Sequence, residues 1–187
     1  WKYFEFLVPE LYIILKPGRS LSFHCMDIPA MKERDGYIGM KDFSGDLIRL
    51  FEKHGFIYHD RVTIWKDPLI EATRTKALGL MYKQLCKDSY ICRTGNPDFL
   101  ITMRKPGENI EPISHDENDG LGEYAGKPNY RPKEQGVKYN HRVWQLYASP
   151  VWMDIRQTYT LQAKKGRDDK DEKHICPLQL DTIHRCL

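Results

Sequence analysis

Two groups of residues have side chains of the types that nucleophilic or metal-assisted catalysis uses. His24 and Cys25 are adjacent, and His54, His59 and Asp60 follow within one short stretch. The apolar residues around His24 predict a short buried strand, on which adjacent side chains point to opposite faces. His24 and Cys25 therefore cannot easily cooperate, and His54 is more simply explained as a cation-capable residue at a helix end. These residues give no good catalytic candidate, and we predict no metal site.

A glycine-rich stretch at residues 120–126 (GLGEYAG) is the next feature that could bind a ligand. In dinucleotide-binding proteins such glycines follow a strand and open a helix, whose amides bind phosphate. Here the third glycine comes one position late, no predicted strand precedes the stretch and no clear helix follows it. We interpret it as a flexible loop.

The cysteines favour neither a zinc site nor a disulfide framework. A zinc site needs close pairs of ligands, and a secreted fold needs an even set of cysteines. This sequence has five scattered cysteines with no Cys-x-x-Cys pair, so free thiols in a reducing cytoplasm are expected. They are Cys25, Cys86, Cys92, Cys176 and Cys186.

The composition is that of one domain, or of one domain that carries an insertion. The chain has 187 residues, of which 41% are hydrophobic, and a net charge of +3. Such a small excess of positive charge is compatible with nucleic-acid binding but does not by itself indicate it, because phosphate binding needs clustered positive charge. No apolar run is long enough to cross a bilayer and no signal peptide is found, so we expect a cytoplasmic protein.

The apolar spacing predicts alternating helices and strands in the first part of the chain. Residues 1–15 and 43–54 have helical periodicity, whereas residues 21–26 and 56–65 have the pattern of strands. This order implies right-handed crossovers and a parallel sheet covered by helices. Residues 36–41 are expected to form a loop.

The second part of the chain is less regular. Residues 69–98 look basic and partly helical, and residues 98–105 (DFLITMRK) predict another strand. Residues 106–142 form a long polar segment, first acidic and then basic, and a structureless loop of this length is usually functional or disordered. An apolar pattern resumes at residues 143–163, and residues 175–187 predict the start of a helix.

Six segments, taken together and in order, resemble the prophage-type DNA amino-methyltransferases. These enzymes transfer a methyl group from S-adenosylmethionine to an exocyclic base nitrogen. The segments cover most of the chain and leave only residues 110–142 weakly matched. They are residues 4–29 (FEFLVPELYIILKPGRSLSFHCMDIP), 41–68, 73–89, 96–109 (NPDFLITMRKPGEN), 148–162 and 171–187 (DEKHICPLQLDTIHRCL).

The resemblance implies an α/β fold: part of a Rossmann-like, S-adenosylmethionine-dependent methyltransferase sheet with a target-recognition insertion. Residues 1–68 would belong to the catalytic half-sheet, residues 69–142 to the insertion, and residues 143–187 to a segment that leads into the cofactor-binding half. The family's catalytic tetrapeptide would precede residue 1 and its glycine loop would follow residue 187. Because the chain opens at Trp1 and ends within an amphipathic stretch, we expect an internal fragment that is inactive alone.

The resemblance also assigns residues to ligands. His174, Ile175 and Pro177 would lie against S-adenosylmethionine, although Pro177 is equally suited to the first turn of a helix without any ligand. The partner would be double-stranded DNA, and the basic residues of the insertion would contact its phosphates, unless they form only a solvated helix face. These basic residues are Arg74, Lys76, Lys83 and Lys87, whereas Arg93 and Asn96 are candidate base readers.

Two internal stretches can be compared with the family's tetrapeptide, [D/N/S]-P-P-[Y/F/W]. Residues 67–70 (DPLI) lack the second proline and the aromatic residue, so we reject them. In residues 149–152 (SPVW), Ser149 and Trp152 are of suitable types, with the aromatic ring available to stack on a flipped base. Val151 replaces the second proline, however, and the position after the insertion is wrong. The alternative is a structural turn with Trp152 packed in the core.

The leading hypothesis from the sequence is a fragment of a DNA methyltransferase that modifies adenine or cytosine. One alternative is a noncatalytic DNA-contacting module, and the other is an unrelated α/β interaction protein. Exposed sheet edges would favour self-association.

Overall fold

The computed structural model describes residues 4–30, 32–37, 39–75, 96–110, 145–160 and 178–186. Its helices are α1 (Leu7–Ile14), α2 (Lys32–Asp35), α3 (Phe43–Lys53), α4 (Pro68–Thr75) and α5 (Leu180–Cys186). Its strands are β1 (Ser20–Met26), β2 (Ile28–Ala30), β3 (Gly39–Lys41), β4 (Ile57–Ile64), β5 (Asp98–Arg104) and β6 (Val151–Trp152). Within these ranges, no helix combines the length and the apolar character needed to cross a membrane.

Helix α3 forms where the sequence predicts it, and its ends have clear local causes. Asp42 caps the first turn by accepting a hydrogen bond from the Gly45 amide at 3.0 Å. Leu47, Leu50 and Phe51 form the buried face. Gly55 ends the helix with a φ of +91°, which a side chain would disfavour.

Helix α1 is joined to the sheet at its carboxyl end. The Lys105 ammonium donates to the carbonyl oxygens of Tyr12 and Leu15, at 2.6 and 2.7 Å, and so satisfies groups that the end of a helix leaves free. The chain then turns at Gly18, which has a φ of +74°. A Cβ atom there would lie 2.6 Å from the Asn109 backbone nitrogen, so the turn needs glycine.

The main sheet has the strand order β1-β5-β4-β6. Strand β5 is antiparallel to both β1 and β4, and β6 is parallel to β4. The predicted parallel sheet is therefore wrong for these strands: β1 and β4 run in the same direction, but β5 separates them. Residues 36–41 were expected to be a loop, yet β3 lies there and pairs with β2 in a second, two-stranded sheet.

The main sheet has a core on each face, because successive residues of a strand point to opposite sides. On the first face, Ile101 and Met103 of β5 pack with Cys25 and with Val8 and Phe51 of the helices α1 and α3. On the second face, Leu100 packs in a smaller cluster. Its other members are Val62, Ile64, Trp152 and Ile155.

The contribution of β5 to the first core can be tested with Ile101→Ala. Because Ile101 is 0% exposed, its truncation leaves a cavity and should lower the free energy of unfolding by about 2–5 kcal/mol. Ile57→Ala is the matched control, since Ile57 is on the same sheet but 51% exposed and should cost less than about 1 kcal/mol. Urea denaturation measures both. Equal losses for the two variants would contradict this placement of the core.

Candidate functional site

A cluster of three charged or titratable side chains, two of them buried, lies where β1 and β4 end. Asp98 is the first residue of β5, and it pairs with Met26 of β1 and with Ile64 of β4. The Lys66 ammonium forms an ion pair with Asp98 Oδ1, and His24 Nε2 lies 3.1 Å from Asp98 Oδ2. The side chains of Lys66 and Asp98 are each only 3% exposed. Charged side chains are rarely buried unless they are paired, so we call these three residues, at this edge, the candidate site.

The two neighbouring side chains keep Asp98 ionised. Burial alone would raise the pKa of its carboxyl group, because it penalises the charged form. Contact with His24 and the positive charge of Lys66 outweigh burial and leave the pKa below its ordinary value. The candidate site is thus a fixed arrangement of charge inside the protein.

Asp67 continues the polar edge beyond Lys66. Its carboxylate accepts hydrogen bonds from the amides of Leu69 and Ile70, at 2.8 and 3.3 Å, at the start of α4. Its own amide donates to Gln157 Oε1 at 3.0 Å, and Gln157 Nε2 donates to Glu71 at 3.4 Å. Residues 66–71 are therefore tied both to the sheet and to the segment that follows β6.

The structure separates His24 from Cys25, as the sequence predicts. His24 points to Asp98 on one face of the sheet, whereas Cys25 packs in the core on the other. Burial, followed by the nearby carboxylates of Asp27 and Asp98, raises the pKa of the Cys25 thiol to about 12. A thiol with this pKa is almost fully protonated at neutral pH, so Cys25 is not an activated nucleophile.

Ser149 and Trp152 lie at the far edge of the main sheet. Ser149 Oγ donates to the Val151 carbonyl at 2.7 Å, which closes a tight turn. Trp152 belongs to β6 and is 5% exposed within the second core. The Arg185 guanidinium stacks on its ring at 4.8 Å. Trp152 could stack on a base only if this packing opened, so the geometry favours the structural alternative.

Helix α5 docks on the segment that follows β6. The Arg156 guanidinium forms two hydrogen bonds with the Asp181 carboxylate, at 2.9 and 2.6 Å, and these lower the pKa of Asp181. An isolated bridge joins Thr160 to Gln179. Arg185 also pairs with Asp154, across the same interface.

The other predicted site residues lie outside this description. The backbone of Arg74 is in α4, but its side chain is not among those described. Neither the backbone nor the side chain is described for the remaining residues, which are Lys76, Lys83, Lys87, Arg93, His174, Ile175 and Pro177. Among the residues with described side chains, no group of three or more His, Cys, Asp or Glu could hold a metal ion.

Sequence reasoning missed Lys66 and Asp98. Each is a charged residue at the end of an apolar strand, which is an ordinary place for a solvated side chain. Only the antiparallel pairing of β4 with β5 brings them together. A charged residue at each end of the segment between two strands is the one signal that could have suggested the pair.

Comparison with solved structures identifies the fold. A protein of Thermus thermophilus, described as a candidate DNA modification methylase and crystallised with S-adenosyl-L-methionine, matches with a TM-score of 0.50 at 18% identity, over 82% of this chain and 49% of that protein. Two further crystal structures of that protein, the second a selenomethionine derivative, give TM-scores of 0.48 and 0.47 at 17% and 18% identity. They cover 82% of this chain and 49% and 50% of theirs.

No protein-family model matches the sequence, and no curated protein matches it significantly. The chain spans about half the length of the solved methylase. At 18% identity the likeness shows the fold alone: a mixed α/β fold like that of the Thermus protein.

The low pKa of Asp98 predicts how stability depends on pH. In the unfolded chain the carboxyl group has its ordinary pKa, near 4, whereas the folded protein holds it lower. The stabilisation that ionised Asp98 adds to the free energy of unfolding is therefore fully present above about pH 5. It is lost as the pH falls below 4 toward the pKa of the folded state.

The variant for this experiment is Lys66→Met combined with Asp98→Leu, which removes the ion pair. The free energy of unfolding should fall more steeply below pH 4 in the wild type than in the variant, because the other acidic residues are common to both. Urea denaturation at a series of pH values gives the two slopes. Parallel slopes would mean that Asp98 has no depressed pKa in the folded state.

Proposed function

We propose that this chain is part of a DNA methyltransferase that transfers a methyl group from S-adenosylmethionine to the exocyclic amine of adenine or cytosine. The observation that carries the proposal is the fold shared with the Thermus protein over 82% of this chain, at a TM-score of 0.50. The six ordered segments that resemble prophage-type amino-methyltransferases support the same conclusion, because together they cover most of the chain.

The proposed division of the chain has a catalytic half-sheet at residues 1–68, a recognition insertion at 69–142 and a return segment at 143–187. The chain leaves the sheet after β4 and returns at β5. Strand β5 lies within the range proposed for the insertion, yet it pairs with both β1 and β4 in the main sheet. The residues between β4 and β5 therefore begin and end next to the candidate site, and the segment from residue 149 packs beside β4.

The proposed cofactor residues are His174, Ile175 and Pro177, and S-adenosylmethionine would supply the electrophilic methyl group there. A neighbouring feature fits a polar ligand: Gln179 Oε1 and Thr182 Oγ1 are buried and, within the described part of the chain, have no hydrogen-bond partner. Buried polar atoms without partners are costly, so a polar ligand group that reached these atoms would be stabilised by them; both residues are at most 5% exposed, so the chain would have to open for that contact.

The proposed partner is double-stranded DNA, and the target base would have to leave the helix, because its amine cannot be reached inside the duplex. Phosphate contacts from Arg74, Lys76, Lys83 and Lys87 would fix the orientation of the duplex without reading its sequence, whereas Arg93 is a candidate base reader. A noncatalytic DNA-contacting module is the second candidate, favoured by the engagement of Ser149 and Trp152 in turn formation and packing.

Transfer of labelled methyl groups tests the enzymatic proposal. The complete encoded protein is incubated with DNA and methyl-labelled S-adenosylmethionine, and the DNA is digested to nucleosides and separated. We expect label in methylated deoxyadenosine or methylated deoxycytidine with the methyl group on the exocyclic nitrogen. DNA binding without incorporation would favour the noncatalytic module, and label at a ring carbon would contradict the proposed chemistry.

The salt dependence of DNA binding tests the proposed contacts. Each phosphate contact adds about 1 to the slope of log K against log salt concentration, because it releases counterions. Replacing Lys76, Lys83 or Lys87 singly with Gln should therefore lower that slope by about 1 each and weaken binding to all sequences alike.

Lys53→Gln is the control for these three variants, since Lys53 lies on α3 and pairs with Glu5. It should leave the slope unchanged. Fluorescence anisotropy with a labelled duplex measures all four proteins. Equal slopes for the control and the insertion variants would contradict the proposed contacts.

A further inference from the structure

The segment between β4 and β5 leaves and re-enters the sheet at a single point. Ile64, the last residue of β4, pairs with Asp98, the first residue of β5. Lys66 follows two residues after Ile64 and forms a buried ion pair with that same Asp98. The ion pair therefore joins the two ends of the 67–97 segment directly.

Further contacts fix the direction in which this segment starts. The Trp65 amide donates to the Trp152 carbonyl at 3.0 Å, which holds the end of β4 against β6. Gln157 then bonds both the Asp67 amide and the Glu71 side chain, and Glu71 is itself buried. The first turn of α4 is thus held against the return segment as well as against the sheet.

Stability is a poor explanation for such an ion pair. Removing two charges from water costs much of what their attraction returns, so apolar replacements of similar size are often at least as stable. A buried ion pair can instead hold the two chain segments in a single relative position. In any other position, one of the two charged groups would be buried without a partner. His24 restricts Asp98 further from the side of β1.

We propose that the Lys66–Asp98 ion pair is a positioning element that sets the direction in which residues 67–75 leave the sheet. This inference rests on the proposed function, in which these residues lead into the DNA-contacting part of the chain. Without the ion pair, residues 67–75 have several orientations, of which only one matches the DNA. The apparent association constant for DNA is then the intrinsic one multiplied by the fraction of molecules in that orientation. The number of phosphate contacts in the complex stays the same.

The test uses Lys66→Met combined with Asp98→Leu in the complete encoded protein. Three quantities are measured for a labelled duplex and for the protein alone: the dissociation constant, the slope of binding against salt, and Tm. We expect the dissociation constant to rise about tenfold, an estimate that takes one molecule in ten as correctly oriented. The salt slope and Tm should stay close to those of the wild type.

The matched control is Arg49→Met combined with Asp46→Leu, which removes another ion pair and leaves the net charge unchanged. That pair is on the exposed face of α3, so DNA binding should not change. If the Lys66/Asp98 variant does not fold, Gln157→Ala replaces it. This substitution loosens the same attachment without removing a charge, and it should raise the dissociation constant by a smaller factor at an unchanged slope.

The outcomes separate this inference from the function on which it rests. If the wild type binds DNA and the folded variant binds equally tightly, the ion pair has no positioning role. A salt slope reduced by about 1 would overturn the inference too, because Lys66 would then be a phosphate contact. If the wild type itself does not bind DNA, the proposed function fails.

Discussion

The structure depends on strand β5 and its antiparallel insertion between β1 and β4. Its backbone bonds both neighbours along their lengths, and its alternating side chains supply both cores. Ile101 and Met103 face helices α1 and α3, whereas Leu100 faces the residues around Trp152. Without β5, β1 and β4 would have no common partner, and neither face would be complete.

Strand β5 also determines where a charged side chain is buried. Asp98 starts β5 at the edge where β1 and β4 end, so its carboxylate is enclosed by residues from both. Such a group remains ionised only because Lys66 and His24 compensate for its burial. Packing on the first face and charge pairing at this edge therefore follow from one topological feature, and the edge is where the proposed recognition segment begins.

Periodicity in the sequence was sufficient to locate the long elements, because each contains regularly spaced apolar residues. The predicted strands at 21–26 and 56–65 correspond to β1 and β4, and the predicted strand at 98–105 corresponds to β5. Strand order was not predictable in this way, since a pattern of alternation identifies a strand but not its neighbours. Strands β2 and β3 were missed because three residues, with Pro29 or Gly39 among them, show no recognisable period.

The most direct test of the account is to find where S-adenosylmethionine binds. The complete encoded protein is irradiated with methyl-labelled S-adenosylmethionine, digested with protease, and the labelled peptide is sequenced. The account predicts label in the peptide that contains His174 to Pro177, and its loss when excess S-adenosylhomocysteine is present. Label that the competitor does not displace would contradict the proposal that this chain is part of a methyltransferase, and displaceable label confined to other peptides would contradict the cofactor role of His174 to Pro177.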